Sequence, residues 1–188
     1  MRPLLALTIL AIASHAEGAD FTIAVPPSPA LPKGGEVALV APGQPGPTNK
    51  GYQPILKSKE VGQALDLADA GPFDIYYTPK GGLPVLAVAK WKVAKGANEL
   101  KLGSHLGTVY VRGDELPRTA AVCVTATDDP GPGEKGHVTI QTVGDYKEDL
   151  VVPDGFYAVW IVPANGAKAR KVADKIRVLA GRQTVVPE

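Results

Sequence analysis

Two stretches of this chain, about 85 residues apart, carry the same spacing of turn glycines and core-type apolar residues. Leu65, Leu67 and Asp69 recur as Leu150, Val152 and Asp154. After a one-residue slip, Gly71, Phe73, Ile75, Tyr77, Pro79 and Gly82 recur as Gly155, Tyr157, Val159, Ile161, Pro163 and Gly166, and Val93, Gly96 and Leu100 return as Val178, Gly181 and Val185. A duplicated unit must fold twice on the same plan, and what is repeated here is alternation plus turns, the needs of a β-module rather than of a reaction centre.

The alternation runs in short stretches, and 21 glycines and 18 prolines interrupt it so often that few gaps could hold a three-turn helix. The reading is all-β. In the first unit it places strands at 21–25, 36–40, 52–57, 63–67, 73–78, 85–93 and 98–102. In the second it places them at 108–112, 119–127, 137–143, 148–152, 156–162, 171–178 and 183–186. Seven short strands per unit predict two tandem Greek-key β-sandwich modules of an immunoglobulin-like or transthyretin-like kind, over residues 20–103 and 107–188, joined through Gly103–Gly107. A single merged sandwich is the alternative, because units of this size have small cores. The expected core is Leu65, Phe73, Ile75, Trp91, Leu150, Tyr157, Val159 and Ile176. Ala41–Lys50 and Asp128–Gly136 are too rich in proline and glycine for regular structure, and Pro26–Pro32 reads as a linker or edge.

Residues 1–20 have the layout of an export signal: Arg2, an apolar run from Leu4 to Ala13, then Ser14 and Ala16 at a peptidase's spacing. Ten residues rise about 15 Å as a helix, half of a hydrocarbon core of roughly 30 Å, so cleavage after Ala16 is expected rather than retention as an anchor. No later stretch could span a bilayer as a helix, and the expected location is secreted, periplasmic or cell-surface. The 20 basic and 19 acidic residues balance, which argues against nucleic acid as a partner. A single cysteine, Cys123, permits no intrachain disulfide, so burial must hold the fold. Cys123 is expected either as a small buried side chain or as the site of an intermolecular disulfide.

In the second unit, Val152-Pro153-Asp154-Gly155-Phe156-Tyr157-Ala158-Val159 turns tightly into a strand, and Val178-Leu179-Ala180-Gly181-Arg182-Gln183-Thr184-Val185 forms a closing hairpin. These stretches resemble the "L-P-x-G-x-Y-x-V" and "V-x-A-G-x-x-T-x-V" segments of secreted bacterial modules similar to transthyretin and to the regulatory domain of carboxypeptidases. The first unit departs from the pattern, with Ala68 in place of the proline, Ala70 inserted and Phe73 where tyrosine is usual. The resemblance, over residues 60–102 and 145–187, implies a β-sandwich and a non-catalytic companion or building block of extracellular proteins.

Candidate chemistry is sparse, and no catalytic residue, cofactor or metal is assigned. Ser104 and His105 are adjacent, so in an extended segment their side chains diverge, and a small secreted hydrolase is the least favoured function. Asp128, Asp129 and Glu134 could face a hard cation but lack the ordered spacing of a calcium loop. His137 alternates with Thr139 and Gln141 on what reads as a solvent face. Arg112-Gly113-Asp114 reads as a turn at a strand end rather than a receptor motif. The remaining signal is aromatic: Tyr76 and Trp160 follow the inward residues Ile75 and Val159, so they point outward, and Phe156, Ala158 and Val162 share the face of Trp160. That face is too apolar to be wet, which predicts a cover supplied by the other unit, a second copy or a ligand. Tyr76, Phe156, Trp160 and Val162 are therefore the expected interaction face of a non-enzymatic component. Its expected partner is an extracytoplasmic protein, reached by strand addition, or alternatively a glycan stacked on Tyr76 and Trp160.

Overall fold

The computed structural model describes residues 20–58, 60–113, 120–145 and 147–187. Residues 1–19 of the expected export signal, and Asp114, lie outside them. The described chain is all-β: fourteen strands and one 3-10 turn. The first seven strands are β1 (Phe21–Ala24), β2 (Glu36–Val40), β3 (Leu56–Lys57), β4 (Ala64–Leu67), β5 (Phe73–Thr78), β6 (Val85–Trp91) and β7 (Gly96–Glu99). After the 3-10 turn at Leu102–Ser104 come β8 (Leu106–Arg112), β9 (Ala121–Thr125), β10 (Gln141–Val143), β11 (Leu150–Pro153), β12 (Gly155–Val162), β13 (Arg170–Val178) and β14 (Gln183–Pro187). Each sequence-based strand has its counterpart. The largest differences are at 52–57 and 137–143, where only the last two and three residues pair, because turns occupy the start of each segment.

The strands form four sheets, ordered β4-β1-β7, β3-β2-β5-β6, β11-β8-β14 and β10-β9-β12-β13. Adding seven to each label of the first two gives the other two. The parallel pairs repeat as well: β1 runs parallel to β7, and β8 to β14. No sheet takes strands from both halves. Period-2 alternation sorts the side chains into two cores. Ile23, Leu39, Leu65, Phe73, Ile75 and Tyr77 anchor one, and Val109, Val122, Leu150, Tyr157, Val159 and Ile161 the other.

Six of the eight expected core residues are buried; Trp91 and Ile176 are half-buried against their cores. Both lie on edge strands, β6 and β13, where one flank has no neighbouring strand to cover it. The paired glycines keep one relationship and lose another. A Cβ on Gly71 would stand 2.7 Å from the Phe73 ring and one on Gly155 would stand 2.8 Å from Tyr157 Oη, so in both units an aromatic two residues on lies against the glycine. Gly71, Gly96 and Gly181 have positive φ, whereas Gly155 has an ordinary one as the first residue of β12.

The two halves meet where β6 approaches β11. Val151 points away from its own core into the first one, the opposite face from Leu150 and Val152 on the same strand. Beside it Gln141, fully buried, donates Nε2–H to the Leu83 and Val151 carbonyls at 2.9 and 3.2 Å and accepts the Leu83 N–H at 2.6 Å.

Candidate functional site

The outer face of the sheet containing β12 is where the expected interaction residues converge. Trp160 stands across from Cys123 on β9 and Lys171 on β13, and Ala158 stands across from Thr125. The face is covered, as its apolar character predicts: Ala158, Cys123 and Thr125 are buried. The cover is the connection from β9 to β10, rather than the first unit. Gly131 of that loop lies directly against the indole, closer than a Cβ would permit, and Trp160 donates Nε1–H to Thr125 Oγ1 at 3.1 Å. Lys171 Nζ lies 4.8 Å from the ring centroid. The first unit repeats the device. Gly46, in the β2–β3 connection, lies against Tyr76, where a Cβ would stand 2.6 Å from the ring. The two irregular loops are thus lids on two outward aromatics. Glycine is required under each because the ring occupies the space of a side chain.

Phe156 has no such lid. It is 52% exposed, and Lys175 Nζ and the Arg177 guanidinium each lie 5.0 Å from its ring centroid. Arg177 also pairs with Asp154 at 2.5 Å, and Lys171 with Asp174 at 2.8 Å. Val162, at the end of β12, is half-buried. The expected face therefore divides into a roofed part at Trp160 and an open part at Phe156.

What holds the β9–β10 lid in place is a polar chain that sequence reasoning missed. Asp129 accepts the N–H of Gly131 at 2.8 Å and of Val138 at 2.7 Å, and its Oδ1 lies 2.7 Å from His137 Nδ1. His137 Nε2 lies 2.8 Å from Thr139 Oγ1, which lies 3.6 Å from Cys123 Sγ. Burial pulls the Asp129 carboxyl upward, but the bonds from His137, Val138 and Gly131 outweigh it and hold the group below the usual carboxylate range. An ionised Asp129 only accepts, so Nδ1 carries a proton; when the ring is neutral, Nε2 accepts from the Thr139 hydroxyl. Cys123 is a buried thiol and not an exposed one, and burial pushes its ionisation upward.

The loop turns His137 away from the solvent face that strict alternation assigned it. The only sequence clue was the presence of Asp129, His137 and Thr139 within one irregular loop and the strand it enters. Two of the three acids weighed for a cation are engaged elsewhere: Asp129 takes its donors from His137, Gly131 and Val138, and Glu134 pairs with Lys168 at 3.6 Å. Among the described residues no cluster of three or more His, Cys, Asp or Glu forms a metal-holding group. Ser104 and His105 are both exposed at the 3-10 turn, and Arg112 ends β8. No described helix is long and apolar enough to cross a membrane.

Comparison with known proteins gives no match among family models, curated proteins or solved structures.

Proposed function

We propose that this chain is an exported, non-enzymatic component of two tandem Greek-key β-sandwich modules, 20–103 and 107–188, that binds a protein partner outside the cytoplasm. The repeated strand order supports the two-module reading, since each half builds the same three-stranded and four-stranded sheet from its own seven strands. The fastening at Gln141, Leu83 and Val151 supports a fixed pair rather than beads on a string. The resemblance to transthyretin-like and carboxypeptidase regulatory-like modules points the same way.

The observation that carries the binding function is the exposure of Phe156 between two cations, on a face where the other large aromatic is roofed. Aromatic rings flanked by arginine are the groups most often central to protein interfaces. The face serves better than an edge. β13 carries Arg170, Lys171, Lys175 and Arg177 and pairs with an irregular register along β12, devices that discourage an added strand, while β6 abuts β11. A glycan platform of Tyr76 and Trp160 is disfavoured, because Gly46 and Gly131 occupy the stacking positions.

Phe156→Ser tests the reading. Stability should change by less than about 0.5 kcal/mol, as at an ordinary surface site. Retention of extracytoplasmic protein partners on immobilised chain should be lost. Retention unchanged by the substitution, or confined to polysaccharide, would overturn it.

A further inference from the structure

Aspartate, imidazole and hydroxyl stand in the order that activates a nucleophile, and roofing an outward aromatic does not by itself call for that order. The first unit roofs Tyr76 with the equivalent loop and no histidine: Asp74 accepts the Gly43 N–H at 3.2 Å, and turn bonds such as Asn49 N–H to the Gly46 carbonyl at 3.2 Å complete it. In the second loop the Asp129 side chain is 5% exposed and that of His137 17%, and Thr139 is half-buried. With the imidazole neutral, the acceptor-only carboxylate keeps the ring proton on Nδ1, and the Thr139 proton is directed at His137 Nε2. Cys123, deeper in, can give its S–H to Thr139 Oγ1, which leaves the remaining lone pair of that oxygen for attack.

We propose that Thr139 is an acyl-accepting nucleophile, with His137 as its general base and Asp129 as the residue positioning that base, and that it reacts with activated carboxylic esters. In the first step Thr139 Oγ1 bonds to the ester carbonyl carbon and its proton passes to His137 Nε2. The bond to the leaving alcohol then breaks, and the departing oxygen takes the proton from Nε2. The acyl group stays on Thr139 as an ester, a single modification rather than a turnover. No oxidant, metal or further reactant enters. This activity stands apart from partner binding at Phe156.

The test uses the full chain with p-nitrophenyl acetate, read by intact mass and peptide mapping, with hydroxylamine to separate a threonine ester from stable lysine amides. A single hydroxylamine-labile acetyl group on Thr139 is expected. It should be absent in Thr139→Ala and kept in Thr139→Ser. In His137→Gln it should form on the order of 100-fold more slowly, the usual contribution of a positioned base. Asp129→Asn should be as slow, because the carboxamide can donate to Nδ1 and turn the proton onto Nε2, while Trp160 fluorescence reports that the lid stays closed. An unmodified Thr139 in wild type, or equal rates in wild type and both relay variants, would overturn the proposal. Where the fluorescence shows an opened lid, the wild-type and Thr139→Ser arms decide alone: an ester at this position in both supports it, and an ester in neither refutes it.

Discussion

Gly131 sits against the indole of Trp160 as Gly46 sits against the phenol of Tyr76, one loop glycine roofing one outward aromatic in each half of the chain. The consequence is energetic asymmetry between the two glycines. Gly46 is held only by lack of space, whereas Gly131 also has a φ of 102°, a backbone conformation that side chains resist. Gly131→Ala should therefore cost about 2–4 kcal/mol, overpacking plus backbone strain, and Gly46→Ala about 1–3 kcal/mol from overpacking alone. Urea titration of the two variants measures the difference, and equal costs would mean that the Trp160 lid yields without strain.

Trp160→Ser should lower stability, since the indole is enclosed by its own loop and bonded to Thr125. A loss of about 2–4 kcal/mol is expected from the vacated space under the lid and the lost bond to Thr125, whose hydroxyl keeps its donation to the Ala126 carbonyl. The Phe156→Ser protein is its control. If thermal denaturation shows the two variants equally stable, the division of this face into roofed and open parts is wrong.

The sequence made the strands legible because alternation and glycine turns act locally, and β2 and β5 form over the residues the pattern marked. Trp91 and Ile176 show where that reasoning stops. Alternation says which way a residue points, not whether its strand has neighbours on both flanks, and both residues end on edges. The roof over Trp160 was legible only as a need for cover. A glycine packing on an indole leaves no periodic trace, so a neighbouring unit was as good a candidate as the loop eight residues past Cys123. His137 was misplaced for the same reason: residues 137–140 are irregular, with a bend at Ile140, and a period of two has no force there.

Gln141 binds the two halves together more tightly than its size suggests. Its amide satisfies both the N–H and the carbonyl of the half-buried Leu83 and shares the buried carbonyl of Val151. Gln141→Leu would fill the space and strand those groups, at a cost of about 1–3 kcal/mol for one donor and two acceptors. Calorimetry should then resolve two melting transitions in place of one, as the halves lose their coupling. A single, unshifted transition would show that Val151 alone holds the junction.

Asp129 makes the second half acid-sensitive in a defined direction. Despite the opposing pull of burial, its donors depress its folded-state ionisation below the ordinary aspartate value of about 3.9. The stabilisation from a depressed carboxylate is fully present above the unfolded value and disappears as pH falls through the folded one. The lid should therefore hold at pH 5 and above and loosen below about pH 4, where protonating Asp129 takes an acceptor from the Gly131 and Val138 amides. Trp160 fluorescence followed against pH checks this, with Asp129→Asn as the comparison. The variant should begin less stable at neutral pH and lose less on acidification, because the group that titrates is gone. An identical acid midpoint in both proteins would assign the acid response to other carboxylates and leave Asp129 as a pH-independent anchor of the lid.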